Sequence, residues 1–150
     1  MNWAARKGLA ADGSGLEKGL APQTRRRAGR GTGVRGETFA YWYLRRHGYT
    51  IVARNFTVPG LKGEIDLVGY DGEVLAFVEV KTRTGKPGEA GVPEAAITPD
   101  KRRHLARMAR QFLYQWRLGK AQWRFDVVAI ESQPGSVPVV RLHKGAFAER

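Results

Sequence analysis

The sequence predicts an α/β fold, a mixed β-sheet flanked by helices. Two separated stretches space their apolar residues as helices do, and the runs beside them are rich in β-branched and aromatic residues. An Asp71-Gly72 pair divides two of those β-rich runs, a strong short-range signal for a hairpin. The resulting order is helix, three strands, helix, two strands, which suits a mixed sheet with helices against it.

The first helix is expected from about Val34, with Val34, Glu37, Tyr41 and Leu44 on one stripe and Ala40 beside them. It should end at Gly48, a good residue to follow a helix after His47. Tyr49 to Arg54 reads as a short strand leading into a loop through Pro59 and Gly60. Glu64 to Tyr70 and Glu73 to Thr82 form the hairpin, and Gly85 to Pro93 is a Gly/Pro loop. Thr98 then suits an N-cap with Pro99 at the first helical position. The helix it opens carries Leu105, Met108, Ala109, Phe112, Leu113 and Trp116 as one apolar stripe. Trp123 to Ile130 is a further strand and Val137 to His143 the last.

Composition narrows the function. Across 150 residues, 26 Lys and Arg face 14 Asp and Glu, a formal charge of +12 that calls for a polyanionic partner. Cysteine is absent, which excludes disulfides, thiolate zinc sites and cysteine nucleophiles. No apolar run has the length to span a bilayer, and the first residues lack the apolar core of a secretory signal. A cytoplasmic protein without a membrane partner is the expectation. Residues 1–32 read as a basic, disordered arm and 33–150 as the folded domain. Arg25, Arg26 and Arg27 suit either non-specific contact with nucleic acid or mere solubility.

The chemistry concentrates in the hairpin. Alternation puts Glu64, Asp66 and Val68 on one face of the first strand, with Ile65 and Leu67 opposite. Phe77, Glu79 and Lys81 share a face of the second. If Asp71 and Gly72 are the turn, Asp66 pairs with Phe77 and lies diagonally from Glu79, about 7–8 Å away. Glu64 would then sit directly across from Glu79, a destabilising pair unless positive charge lies between them. Two such carboxylates can converge on one divalent cation, with the Val80 carbonyl as a further oxygen ligand. Lys81, two residues on from Glu79, can position a water or stabilise charge on phosphorus. The competing reading is a solvated strand face on which Glu79 and Lys81 pair with each other or with neighbours. Glu37 likewise has two readings: an acid on a sheet-facing stripe that needs a cation, or a first-turn acid satisfied by free amides and the helix dipole.

These residues resemble the YraN family of bacterial proteins, which look like Holliday-junction resolvases of the PD-(D/E)XK nuclease superfamily. The resemblance spans roughly residues 33 to 143. It rests on Gly36-Glu37 with Ala40 and Leu44, Gly48-Tyr49, Arg54-Asn55, Gly63 to Val68, Phe77 to Arg83, Lys101 with Ala109 and Leu113, and Arg124 to Val127. It implies a restriction-endonuclease-like fold, Asp66 and Glu79 as metal ligands, Lys81 as the catalytic lysine and Glu37 as the helix-borne acid.

The expected function is therefore metal-dependent hydrolysis of phosphodiester bonds, in branched or structured DNA, with Mg2+ or Mn2+. Arg83, Lys101, Arg102 and Arg103 are the candidate phosphate contacts, and a homodimer would suit a symmetric junction. The rivals are a non-catalytic nucleic-acid-binding module on the same scaffold and an RNA- or ribosome-associated basic protein. Asp126, which breaks an apolar run, reads as a structural carboxylate, capping or pairing with a nearby Arg, in preference to a metal ligand.

Overall fold

Helix α1 (Thr32–Arg46) ends within a residue of its expected stop, and Gly48 turns the chain with φ of 92°. The computed structural model describes residues 32–84 and 97–148. The basic arm with Arg25, Arg26 and Arg27, and the loop expected at 85–93, lie outside the described residues. Strands β1 (Tyr49–Phe56), β2 (Ile65–Asp71) and β3 (Val74–Thr84) follow, then α2 (Pro99–Gln115), β4 (Trp123–Ser132) and β5 (Val139–Phe147). Thr98 caps α2 as expected: its Oγ1 accepts the Lys101 N–H at 3.1 Å, and Pro99 begins the helix.

The sheet order is β1-β2-β3-β4-β5. Every neighbouring pair is antiparallel except β3 and β4, whose parallel pairing requires a long crossover, supplied through α2. On one face Leu105, Met108, Phe112 and Leu113 of α2 pack against Val68, Leu75, Phe77, Phe125 and Val127. On the other, Ala40 and Leu44 of α1 pack against Ile51, Leu67, Ala76, Val78 and Val128. Helices thus flank a mixed sheet on both sides, the restriction-endonuclease-like α/β arrangement. Covered twice, β3 and β4 need apolar residues on both faces, which explains their near-continuous hydrophobic runs.

The hairpin corrects one expectation. Asp71 pairs with Val74, so the loop is Gly72-Glu73 rather than Asp71-Gly72. Gly72 has φ of 62° while Glu73 stays out of the left-handed region, the pattern of a turn with glycine at its first central position. Asp71 is retained in the strand by its side chain, which accepts from Arg124 at 2.6 Å and Lys144 at 2.8 Å. Lys144, then Arg124, also hold this carboxyl below its usual range. The register moves by two residues, so face assignments survive where a slip of one would have inverted them. Alternation does fail at the start of β2: Ile65 joins the α2-side core although Leu67 belongs to the α1 side.

Asp126 is wholly buried at a bulge between β4 and β5. It accepts from Tyr49 Oη at 2.7 Å, Arg124 Nε at 2.8 Å and the Gly145 N–H at 3.0 Å. Its carboxylate thus serves donors that an interrupted ladder leaves over. Burial first, and then Asp126, raises the Tyr49 phenol above its ordinary range.

One close approach is testable by stability alone. A Cβ on Gly69 would lie 2.9 Å from Ile51 Cδ1 and 3.0 Å from the Thr50 carbonyl oxygen. Gly69→Ala should therefore cost about 1–3 kcal/mol. The expected result is a lower urea midpoint with an unchanged slope.

Candidate functional site

The site begins where the β2–β3 ladder stops. Leu67 and Val78 are its last partners toward the open end, and the Val80 N–H is taken instead by Asp66 Oδ2 at 2.8 Å. Asp66 thus supplies by side chain an acceptor that the neighbouring strand does not. Continuing the register by one residue sets Asp66 opposite Glu79, closer than the diagonal expected from the sequence. The two carboxyls share a hydrogen bond. Burial, then the charge and hydrogen bond of Glu79, and lastly the charge of Glu37 push Asp66 well above the usual carboxylate range, with the Val80 N–H opposing them.

Glu79 is 6% exposed. Lys101 Nζ lies 3.4 Å from its Oε2, and Lys81 Nζ lies 4.0 Å from the same oxygen. Lys101 stands in the first turn of α2, where a cation opposes the helix dipole; Glu79 supplies the compensating charge.

The third contribution comes from the end of β1. Asn55 is buried with φ of 51°, a left-handed conformation that Asn tolerates better than most residues. Its Nδ2 donates to Glu37 Oε2 at 2.9 Å and to Glu64 Oε1 at 3.2 Å, tying α1 to the segment before β2. Glu37, Glu64 and Asp66 each present an oxygen, all within 4.8 Å of one another. Hard oxygens at such separations can ligate one divalent cation, whose bonds run from about 2.0 Å for Mg2+ to about 2.6 Å for Ca2+. Burial first, and then the neighbouring acids, disfavour a bare Asp66 carboxylate, a cost that either a proton or a cation can relieve.

The sequence-derived candidates are distributed as follows. Glu37 and Asp66 meet in the triad, while Glu79 adjoins it through Asp66, with Lys81 beside Glu79. Val80, between them, engages Asp66 through its N–H. Arg83 follows Lys81 by two residues on β3, in register with Glu131 of β4. The three consecutive cations of α2 diverge: Lys101 turns to Glu79, Arg102 Nε donates to the Ile97 carbonyl at 3.0 Å, and Arg103 pairs with Asp100.

Glu64 is misplaced by strand parity. It precedes β2, after Gly63 with φ of 81°, and faces Asn55 and the triad rather than Glu79. Asn55 carried no role in sequence reasoning. The available signal was an Asn that ends a strand run just before a Pro/Gly loop, a position open to left-handed backbone.

A family model described as "Uncharacterised protein family UPF0102" matches residues 36–130. The chain belongs to this family. UPF0102, the YraN family, includes a protein of Symbiobacterium thermophilum that is 47% identical over 120 residues, covering 79% of this chain and 97% of that protein. A UPF0102 protein of Koribacter versatilis is 45% identical over 116 residues, covering 77% and 78%. One from Geobacter metallireducens is 43% identical over 115 residues, covering 77% and 90%. The UPF0102 match takes in Glu37, Asn55, Glu64, Asp66, Glu79, Lys81 and Lys101. No described helix is long and apolar enough to cross a membrane.

Proposed function

We propose that this UPF0102 protein is a metal-dependent endonuclease that hydrolyses phosphodiester bonds in DNA, with branched or structured DNA as substrate and Mg2+ or Mn2+ as the ion. The supporting observation is the meeting of Glu37, Glu64 and Asp66 within 4.8 Å beside a buried Glu79 flanked by two lysines. An ion held by Glu37, Glu64 and Asp66 supplies charge compensation to the phosphate and makes water more acidic.

The chain's own groups divide the remaining work. Asn55 fixes the directions of Glu37 and Glu64. The Val80 N–H anchors Oδ2 of Asp66; Glu79 and the Val80 carbonyl would add further oxygen ligands. Lys81, with a compact ammonium, orients the attacking water and offsets charge as a P–O bond forms and the opposite P–O bond breaks. Lys101 Nζ, 3.4 Å from Glu79 Oε2, holds Glu79 in place at the site. Arg83, Arg102 and Arg103, with Arg25, Arg26 and Arg27 of the arm, contact the backbone, so recognition is of phosphates and shape rather than base edges. A homodimer would offer two such sites to the symmetric strands of a junction, and the cytoplasm is the compartment expected for such an enzyme.

The test is a panel of junction, flap, single-stranded and duplex DNA with Mg2+, Mn2+ or EDTA. Cleavage confined to the branched forms and to samples with metal is expected. Cleavage in EDTA would refute the mechanism, and tight binding without cutting under every condition would favour a binding module.

A further inference from the structure

Arg54 lies on β1, next in sequence to the Asn55 that joins Glu37 to Glu64, and it has no role in the chemistry above. Its guanidinium sits 4.2 Å from the centre of the Tyr41 ring on α1. It is close enough to Glu37 to feel that carboxylate's charge, yet burial dominates and lowers its pKa. Two of its nitrogens, Nε and Nη2, are buried with no hydrogen-bond partner among the described residues.

That pair is informative. Nε and Nη2 share one edge of the guanidinium, the edge that grips two oxygens of a carboxylate or phosphate side by side. A buried donor without a partner is costly, and a native protein that leaves two on one group needs a reason for it. Glu37 does not fill the edge; its Oε2 receives Asn55. An aromatic ring behind the guanidinium fixes its plane without consuming a donor, as a receiving surface for an anion requires.

We infer that Arg54 is a phosphate-binding residue, its Nε/Nη2 edge receiving a backbone phosphate on the Glu37 side of the acidic cluster. The inference rests on the nuclease reading for the identity of the anion. A phosphate seated against this edge, with the guanidinium kept on the Tyr41 ring, would relieve both unpaired donors at once. The cation also screens an incoming phosphate from Glu37, which would otherwise repel it.

The experiment measures binding of a fluorescent four-way DNA junction by anisotropy over a range of salt, with Mg2+ present. It is done in an Asp66→Asn background so that nothing is cut. Arg54→Met, which keeps the apolar bulk over Tyr41, should weaken binding about tenfold and lower the salt slope by about one unit. Arg54→Lys, retaining charge without the fork, should keep the slope and recover only part of the affinity. The melting temperature separates this role from a structural one. Removing two unpaired buried donors should leave it level or raise it in Arg54→Met. A marked fall in melting temperature, or a wild-type salt slope in folded Arg54→Met, would overturn the inference. Failure of the Arg54-intact protein to bind DNA at all would instead count against the nuclease reading.

Discussion

Asp66→Asn is expected to silence cleavage by about 10³-fold while raising the melting temperature of the metal-free protein. The two effects share one cause. Asp66 is crowded by Glu79 and Glu37 and holds its proton well above the usual carboxylate range, chiefly through burial. In the unfolded chain the same carboxyl titrates near 4. Between those limits the folded protein binds more protons than the unfolded one, so stability falls as pH rises above about 4 and continues to fall until Asp66 ionises in place. Asparagine cannot ionise, still accepts the Val80 N–H, and can donate to Glu79. The gain should be about 0.5–2 kcal/mol near neutral pH. It should vanish at acid pH, where wild-type Asp66 is protonated in both states. Divalent ions should stabilise the wild type and do less for Asp66→Asn. Thermal melts over pH, with and without Mg2+, decide the matter; a variant less stable than wild type at pH 8 would show that these acids are not in conflict.

A single methyl group on Gly36 should cost about 10²-fold in turnover without touching any acid. Its Cβ would fall 2.1 Å from Thr82 Oγ1 and 3.4 Å from Thr82 Cβ, so the Thr82 side chain must turn aside or α1 and β3 must separate. Glu37 is the next residue, and its carboxylate must stay within 4.8 Å of Glu64 and Asp66 to share a cation with them. Ångström-scale displacement is enough to disturb such a site. Thr82→Ala removes the obstructing hydroxyl, so Gly36→Ala/Thr82→Ala should recover most of the lost rate, with metal affinity following. If Gly36→Ala cuts as well as wild type, the site does not depend on this contact.

Local signals carried most of the architecture. Capping residues marked α2, hydrophobic period marked both helices, and composition marked the strands, because each reports conformational preferences over a few residues. The hairpin shows where such signals stop. Asp-Gly is a good turn, but Asp71 is held in its strand by Arg124 and Lys144, which lie 53 and 73 positions away in sequence. A tertiary ion pair overrode a local preference. The active face survived because the resulting shift was even. Glu64 and Asn55 were harder to read: parity holds only while a strand persists, and β2 begins at Ile65, just after the Gly63 turn. Lys101 reads from sequence as a cation in a helix's first turn; only the crossover shows that this turn ends above Glu79.

The acids and amines of this cleft are dispersed along the chain. Glu37 rides on α1, Glu64 and Asp66 sit around the start of β2, Glu79 and Lys81 lie on β3, and Lys101 stands on α2 within the crossover. Competence is therefore a property of the finished tertiary assembly. The three oxygens of the triad all lie at or before position 66, but Glu79 meets Lys101 only once α2 has packed, so a chain halted before α2 holds its acids without that counter-charge.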